Sequence, residues 1–256
     1  MKLIDTHTHL FAEEFNADRS DIVQRAISAG VKKFFLPNID STSIAGMLEL
    51  ERQFPENCFA MMGLHPCSVN EKCEDELKIV EDWFTKRKFS AVGEIGMDYH
   101  WDKTFISQQK FTFSRQIDLA KKYNVPIVIH QRECFEDLFE IVKSKNDNKL
   151  TGIFHCFTES IEHANKIISL GGFKMGIGGA VTYKNSKLPE VLKQIDIKHL
   201  VLETDSPYLP PVPHRGKRNE SSFITLVAQK VAEIKGITIE EVAEITTRNA
   251  EEIFGC

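Results

Sequence analysis

The sequence predicts an α/β protein built as a (β/α)8 barrel, and three observations lead to that prediction. Eight segments resemble strands, and several are near-continuous apolar runs, as expected of parallel strands buried on both faces. Helix-like segments separate them, and the strands recur about every 30 residues, the length of one strand plus one helix. The chain has 256 residues, which is the usual size of such a barrel. A doubly wound open sheet made of the same alternating units is the structural alternative.

The predicted strands are recognised by their apolar content and by the turn residues that bound them. In chain order they span residues 2–9, 31–37, 58–65, 89–95, 125–131, 150–156, 172–177 and 200–205. Amphipathic spacing, acidic first turns and glycines after the last turn predict the helices. These span residues 18–29, 105–123, 134–145, 161–170, 221–235 and 239–254. Thr238 and Glu241 form a capping box at the start of the last helix.

Composition excludes several classes of protein. The chain is 42% hydrophobic and 27% charged, which is ordinary for a globular protein and excludes a disordered or collagen-like chain. A net charge of −5 excludes a global basic field that would attract nucleic acid, so any phosphate contact must use local positive charge or metal ions. Because a chain of this size does not need disulfides, we expect its six cysteines to be reduced thiols in the cytoplasm.

We expect residues 1–10 not to be a signal peptide, because they lack a long apolar stretch, and no run of the sequence comes close to the ~18 apolar residues of a membrane span. Linkers, low-complexity segments and internal repeats are also absent from it. We therefore expect one domain over residues 1–256, with no membrane association and no obligate protein partner. Since no exposed apolar heptad demands association, we expect a monomer.

Residues of metal-binding types stand at the ends of five predicted strands. His7 and His9 lie two residues apart on the first strand, so their imidazoles can share one face. The ends of four later strands carry Glu94, His130, His155 and Asp205. In a barrel these ends converge on one mouth, where active sites lie. Each residue alone is explained as a hydrogen-bonded core group or a solvated strand end, but burying all six together is costly without a cation.

Six ligands exceed the needs of one tetrahedral zinc ion, so we expect two divalent ions about 3.5–4 Å apart. Glu94 comes from the middle strand of the set and is the expected bridge. The first ion is assigned to His7, His9, Glu94 and Asp205, and the second to Glu94, His130 and His155. Imidazole with carboxylate suits Mg²⁺, Mn²⁺, Zn²⁺, Co²⁺ or Fe²⁺ better than Ca²⁺. Such a pair activates a hydroxide near neutral pH and holds both oxygens of an in-line displacement.

Six stretches of the chain resemble the TatD family of metal-dependent deoxyribonucleases, within the amidohydrolase superfamily. They are IDTHTHL (4–10), GLHP (63–66), GEIGMDY (93–99), PIVIHQR (126–132), HCFTES (155–160) and ETDSPYLPPVPHRGKRNES (203–221), in the family's order. The resemblance implies the barrel, a two-metal centre at the six residues, and hydrolysis of DNA from the 3′ end of single strands. Met97, Glu159 and Ser221 depart from the family's usual Leu, Gly and Pro, and none of them is a metal ligand.

Further residues are predicted to support the reaction. Asp205 is positioned to take the proton of the attacking water, with a pKa lowered by the ions. Glu203 faces the same side of its strand and would orient the water or a ligand, the alternative being a satisfied acid of the barrel interior. The family resemblance assigns His65 to a phosphate or leaving oxygen. Asp98 and Tyr99 are expected to position nucleotide or metal-bound water, or to pack the loop.

Basic and aromatic residues near the mouth are candidates for substrate contacts. Arg215 and Arg218 follow the eighth strand, where barrels often hold phosphate, although a solvated loop is the usual explanation of such a charge run. Arg132, two residues after His130, is a further phosphate candidate. We expect Phe11, Trp101 and Tyr208 to pack in the protein rather than stack on bases. Cys156 should face away from His155, because neighbouring strand residues alternate.

Three functions remain open at this stage. The first is a deoxyribonuclease, a 3′–5′ exonuclease on single-stranded DNA. The second is an amidohydrolase or esterase acting on a small or aminoacyl-nucleic-acid substrate. Most two-metal amidase relatives bridge their ions with a carboxylated lysine on the fourth strand, whereas this chain has Glu94 there, which favours the nuclease. The third is a nucleic-acid-binding protein without catalysis, which the negative net charge disfavours.

Overall fold

Eight parallel strands form the centre of the computed structural model, which describes residues 1–147 and 149–255. Within those residues the strands are β1 (Leu3–Asp5), β2 (Val31–Pro37), β3 (Cys58–Met61), β4 (Val92–Asp98), β5 (Ile127–Arg132), β6 (Gly152–Phe154), β7 (Phe173–Ile177) and β8 (Leu200–Leu202). They are hydrogen-bonded in chain order, β1 to β3 in one sheet and β4 to β8 in another.

Two contacts join these sheets into a barrel. Met62 pairs with Val92 in parallel between β3 and β4. The backbone N–H of Thr6 donates to the carbonyl of Leu202 at 3.1 Å, which connects β1 to β8. Sequential order around a closed sheet confirms the predicted barrel. It also excludes the doubly wound alternative, in which the strand order reverses part-way along the sheet.

Helices surround the strands and follow the amphipathic patterns of the sequence. In the described residues they are α1 (Arg19–Ser28), α2 (Ile44–Gln53), α3 (Cys73–Lys86), α4 (Ile106–Tyr123), α5 (Phe135–Lys145), α6 (Ile161–Ser169), α7 (Leu188–Leu192), α8 (Ile224–Lys235) and α9 (Ile239–Phe254). The six predicted helices agree with α1, α4, α5, α6, α8 and α9, apart from a separate 3₁₀ turn that replaces the start of the predicted 221–235 helix. The capping box of α9 is also present. These helices include none that is long and apolar enough to cross a membrane.

The last helix closes the end of the barrel where the strands begin. In α9, Thr247 donates a hydrogen bond to the carbonyl of Lys2 just before β1, and Asn249 donates one to Leu200 at the start of β8. The rings of Phe35 and Phe254 stack 3.6 Å apart within a buried apolar cluster. Because this end is filled, the polar residues gather at the opposite end, where the strands finish.

Four predicted strands extend too far at their carboxyl ends. Residues 2–9, 58–65, 150–156 and 200–205 were expected to be strand throughout, but β1, β3, β6 and β8 stop at Asp5, Met61, Phe154 and Leu202. The polar residues that follow lie in the loops beyond these ends, where they contact one another instead of continuing the sheet. Shortened strands therefore place His7, His9, His65, His155 and Asp205 at the mouth of the barrel.

Candidate metal centre

The structure brings the six predicted metal ligands together at the carboxyl end of the barrel. They come from β4 and β5 and from the loops after β1, β6 and β8: His7, His9, Glu94, His130, His155 and Asp205. His7, His9, Glu94 and His155 are buried, and the other two side chains are mostly buried. We refer to these six residues as the candidate metal centre.

The carboxylate of Glu94 lies in the middle of this centre. Its Oε2 is 3.0 Å from Nε2 of His7 and 3.7 Å from Nε2 of His9. Its Oε1 is 2.8 Å from Nδ1 of His130 and 3.6 Å from Nε2 of His155. Each oxygen therefore faces a different pair of imidazoles, and these pairs match the two ligand groups expected from the sequence. A carboxylate placed in this way has the geometry needed to bridge two cations.

Asp205 completes the side of the centre that contains His7 and His9. Its Oδ1 lies 3.8 Å from Nε2 of His7 and 3.6 Å from Nε2 of His9. The backbone N–H of Asp205 donates to the carbonyl of His7 at 2.9 Å, and the residue has a φ of 56°. This hydrogen bond fixes the loop after β8 against the loop after β1. The carboxylate consequently stays beside the two imidazoles.

His65 lies closer to Glu94 than was expected of a residue that contacts only substrate. Its Nε2 is 3.4 Å from Oε1 of Glu94 and 3.3 Å from Nδ1 of His130. Its Nδ1 accepts the backbone N–H of Cys67, which holds the ring in place. The ligand atoms of His65, Glu94 and His130 all lie within 4.8 Å of one another. His65 therefore shares the space of the second ligand group.

Asp98 lines the cleft and contacts His130. Its Oδ2 lies 2.8 Å from Nε2 of His130, while Oδ1 accepts the backbone N–H groups of His100 and Trp101. Burial opposes ionisation of Asp98, but the hydrogen bond and charge of His130 and the backbone N–H groups of His100 and Trp101 together outweigh it and lower the pKa of the carboxyl to about 2. The same contact raises the pKa of His130 against the effect of burial. Asp98 thus fixes the orientation of the His130 ring.

Glu203 makes the corresponding contact with His155. Its Oε1 is 3.0 Å from Nδ1 of His155 and accepts the backbone N–H of Cys156 at 2.6 Å. Gly176 leaves room for this carboxylate, since a Cβ at that position would lie 2.0 Å from Oε2 of Glu203. Burial lowers the pKa of His155, yet the charges of Glu203 and Glu94 outweigh it and raise the pKa to about 10. The contact presents Nε2 of His155 to Glu94.

Several buried polar atoms of this centre lack a partner in hydrogen-bonding geometry among the described residues. They are Nδ1 and Nε2 of His7, Nδ1 of His9, Nδ1 of His155 and Oε2 of Glu203. Burial holds the pKa of His7 well below its usual value and lowers that of His9 to about 4, so both rings are neutral near pH 7. Buried polar groups normally have partners. Neutral imidazoles facing carboxylates are a donor set that fits divalent cations.

A cleft of about 590 Å³ opens over the candidate metal centre. Trp101 and Tyr208 line it and are 71% and 49% exposed, so neither belongs to the core, whereas Phe11 is buried. Cys156 also lines the cleft, contrary to the prediction that it faces away from His155. The reason is that β6 ends at Phe154 and Cys156 adopts a φ of 49°, so strand alternation no longer applies.

Three predicted substrate residues have other partners. The hydroxyl of Tyr99 donates to Asp137 at 2.8 Å. The guanidinium of Arg215 lies 3.8 Å from the centre of the Tyr183 ring. Arg218 donates to both carboxylate oxygens of Asp18, at 2.9 and 2.6 Å, and its guanidinium carbon is 4.7 Å from the centre of the Phe15 ring. Arg132, by contrast, lines the cleft.

Asp5 has a supporting position that the sequence did not assign. It is buried, and its two oxygens accept the backbone N–H and the hydroxyl of Thr204 at 2.9 and 2.6 Å. Burial raises the pKa of Asp5 to about 7. Asp5 lies between His7 and Thr204, the residue before Asp205. It therefore connects the loops that carry His7 and Asp205. The only sequence signal for this role was an acidic residue on a strand that was predicted to be buried.

Comparison with known proteins shows similarity along almost the whole chain. A family model described as TatD-related DNase matches residues 4–255. YabD of Bacillus subtilis strain 168, named an uncharacterized metal-dependent hydrolase, is 40% identical over 253 residues and is matched over 98% of each chain. YcfH of Escherichia coli K12, named in the same way, is 32% identical over 262 residues, which cover 99% of this chain and 96% of that protein.

The solved structures include a similarly close match. The crystal structure of YjjV, a TatD homologue from Escherichia coli K12, matches with a TM-score of 0.93 at 30% sequence identity. The match covers 99% of this chain and 98% of that one. The range matched by the family model, residues 4–255, includes every residue of the candidate metal centre.

Proposed function

Because this chain belongs to the TatD-related DNase family of metal-dependent hydrolases, we propose that it is a deoxyribonuclease that removes nucleotides from the 3′ end of single-stranded DNA. The observation that carries this proposal is the placement of Glu94 between two groups of imidazoles, through different oxygens. The family match supports hydrolysis of an ester bond. Strand preference, direction and cofactor number are our proposals.

We assign two divalent ions to the candidate metal centre, of the kinds that imidazole and carboxylate favour, Mg²⁺, Mn²⁺, Zn²⁺ or Co²⁺. His7, His9, Glu94 and Asp205 would hold one of them, and Glu94, His130 and His155 would hold the other. Bound there, such ions polarise the phosphodiester and lower the pKa of a nearby water. The unpartnered nitrogen atoms of His7 and His9 support the assignment.

Protein groups around the centre hold and move the protons. Asp205 is the proposed acceptor of the proton of the attacking water, at a carboxylate oxygen that faces the cleft. Asp98 orients His130 by accepting from Nε2 of its ring, and Glu203 orients His155 through its close contact, 3.0 Å from Nδ1. His65 is proposed to contact the leaving oxygen, since it lines the cleft beside Glu94.

Substrate contacts are proposed for Arg132, whose guanidinium suits phosphate oxygens. We assign no phosphate to Arg218, because its guanidinium is already paired with Asp18. The predicted contacts of substrate with the loop that holds Arg215, and with the side chain of Tyr99, stay hypotheses. A cleft of about 590 Å³ lined by the candidate metal ligands favours the end of a flexible strand over the interior of a duplex.

The test is a timed digestion of a single-stranded oligonucleotide labelled at one end or the other, with Mg²⁺, Mn²⁺ or a chelator. We expect a metal-dependent ladder that shortens from the 3′ end. Shortening from the 5′ end would overturn the direction. If DNA stays intact while amide or ester substrates are turned over, the chain is an amidohydrolase or esterase instead. DNA binding without any cleavage would support a non-catalytic function.

We also propose that the enzyme is a cytoplasmic monomer of one domain. Strand order that runs continuously from β1 to β8 supports the single domain. The elution volume of the purified protein in size-exclusion chromatography, compared at two concentrations, tests the monomer. A concentration-dependent shift to a larger species would contradict it.

A further inference from the structure

An exposed pair of side chains stands at the edge of the cleft. Trp101 is 71% exposed, more than any other large apolar side chain in residues 1–147 and 149–255. The guanidinium carbon of Arg132 lies 5.2 Å from the centre of the indole, and both residues line the cleft over the candidate metal centre. Leaving an indole in water sacrifices hydrophobic stabilisation, so a tryptophan exposed beside a reaction site indicates a ligand.

The backbone of Trp101 is hydrogen-bonded to Asp98, the same carboxylate that orients His130. The backbone N–H of Trp101 donates to Oδ1 of Asp98 at 3.3 Å, and Oδ2 of Asp98 contacts His130. Asp98 and Arg132 are partners in the register of β4 and β5, and the backbone of Tyr99 donates to the carbonyl of Arg132 at 2.9 Å. The backbone segments that carry the indole and the guanidinium are therefore held beside the second ligand group.

The guanidinium of Arg132 is available for an anion. None of the ion pairs within residues 1–147 and 149–255 involves it, whereas acidic partners occupy Arg25, Arg52, Arg87, Arg115, Arg218 and Arg248. His100 packs edge-on against Trp101, with ring centres 4.9 Å apart, and its Nδ1 lies 2.7 Å from Oε1 of Glu133. The edge of the cleft thus offers one aromatic surface and one unpaired cation next to each other.

We propose that Trp101 and Arg132 form a nucleotide subsite, in which an unpaired nucleobase stacks on the indole while an adjacent phosphate binds the guanidinium. This inference rests on the proposed nuclease function and adds that the enzyme recognises the base as well as the phosphodiester. Stacking on an aromatic ring accepts every base, because each base has a π face. The subsite therefore selects for unpaired bases without selecting a sequence, since a base in a duplex must first leave its stack.

The kinetic test uses two oligonucleotides of equal length, oligodeoxyadenylate and a matched strand in which hydrogen replaces every base. The measured quantity is the ratio of kcat/KM for the two substrates. Trp101→Ala should lower this preference by roughly 5- to 150-fold, the loss expected for one stacked base, and Trp101→Phe should retain most of it. Arg132→Gln should lower kcat/KM on both substrates alike, because both contain phosphate.

Phe111→Ala is the matched control. Phe111 is also an exposed aromatic side chain, and Arg115 lies 5.9 Å from its ring centre, but the pair is on α4 and outside the cleft. This variant should leave the preference for the base-containing strand unchanged. If Trp101→Ala lowers activity on both substrates equally, or if the wild-type enzyme shows no preference, the subsite is overturned while the nuclease proposal stands.

Tryptophan fluorescence provides a measurement that needs no turnover. The chain contains two tryptophans, so Trp83→Phe leaves Trp101 as the sole indole. With chelator present, oligodeoxyadenylate should quench its emission and the base-free strand should not. Equal responses to both strands would overturn the subsite. Base-dependent quenching by a protein that cleaves no DNA with any metal would overturn the nuclease proposal and leave the subsite standing.

Discussion

Nδ1 of His155 lies 3.0 Å from Oε1 of Glu203, and both side chains are buried. The same carboxylate oxygen accepts the backbone N–H of Cys156, so its position is fixed from two directions. With Nδ1 facing this carboxylate, Nε2 of His155 faces Oε1 of Glu94 at 3.6 Å. Glu203 consequently determines which nitrogen of His155 is presented to the candidate metal centre.

Glu203→Gln should weaken metal binding, because an amide supports the His155 ring less well than a carboxylate does. We expect metal affinity to fall by about 10- to 100-fold, the scale reported for residues that orient ligands. Isothermal titration with Mn²⁺ measures it. Glu51→Gln is the control, since Glu51 also accepts a backbone N–H, from Ala60, but lies outside the centre. Unchanged affinity in Glu203→Gln would contradict the role given to this carboxylate.

Gly176→Ala should reproduce that loss without unfolding the barrel. The new Cβ would lie 2.0 Å from Oε2 of Glu203, and the buried carboxylate would have to move away from His155. Circular dichroism should show a retained fold, while Mn²⁺ titration shows reduced affinity. Gly46→Ala is the matched control, because the nearest atom to its Cβ would be 3.7 Å away, an ordinary contact. Wild-type Mn²⁺ affinity in Gly176→Ala would show that the space at Gly176 is not required to hold Glu203 beside His155.

The barrel could be predicted from the sequence because its signal is local and repeated. Each strand is an apolar run and each long helix an amphipathic one, so the order of elements follows from periodicity alone. The ends of the strands could not be predicted in this way. The residues of 150–156 read as one strand, but β6 stops at Phe154 and Cys156 turns into the cleft. The turn is accompanied by a distant contact, because Glu203, just after β8, accepts the N–H of Cys156.

The ligand set could be predicted because histidine and acidic residues are unusual at the ends of apolar strands. The partners of single charged residues could not, since they come from distant parts of the chain. Arg218 was expected at phosphate, yet Asp18, at the other end of the sequence, pairs with it. The hydroxyl of Tyr99 likewise donates a hydrogen bond to Asp137 on α5. Residue type therefore indicated the chemistry, and non-local packing decided which side chains remain free for substrate.

Asp205→Asn should remove the proposed proton acceptor while preserving the shape of the side chain. Burial raises the pKa of Asp205 to about 7 before any ion is bound, which shows how costly its charge is without a cation. We expect kcat on single-stranded DNA to fall by about 100- to 10,000-fold, the range of general acid–base contributions. The assay should use saturating Mn²⁺, so that weaker metal binding does not limit the rate. A kcat within tenfold of wild type would exclude Asp205 as the acceptor.

Removing metal should lower the thermal stability of the protein. Without cations, Glu94, Glu203 and Asp205 stay close together and several imidazole nitrogens lack partners, whereas bound ions would satisfy them. An ion that binds only the folded state stabilises it by about 2.7 kcal/mol at 100 times its Kd. For a chain of this size we expect a decrease in Tm of about 5–10 °C on chelation.

Differential scanning calorimetry measures this change, with chelator and after Mn²⁺ is restored. Glu94→Gln is the informative comparison, since it removes the carboxylate charge that faces both imidazole groups. Its Tm should respond much less to Mn²⁺ than that of the wild-type protein, and metal analysis should find fewer bound ions. Because His199 lies outside the cleft, His199→Gln should respond like wild type. Equal responses in Glu94→Gln and wild type would mean that the stabilising ions bind elsewhere.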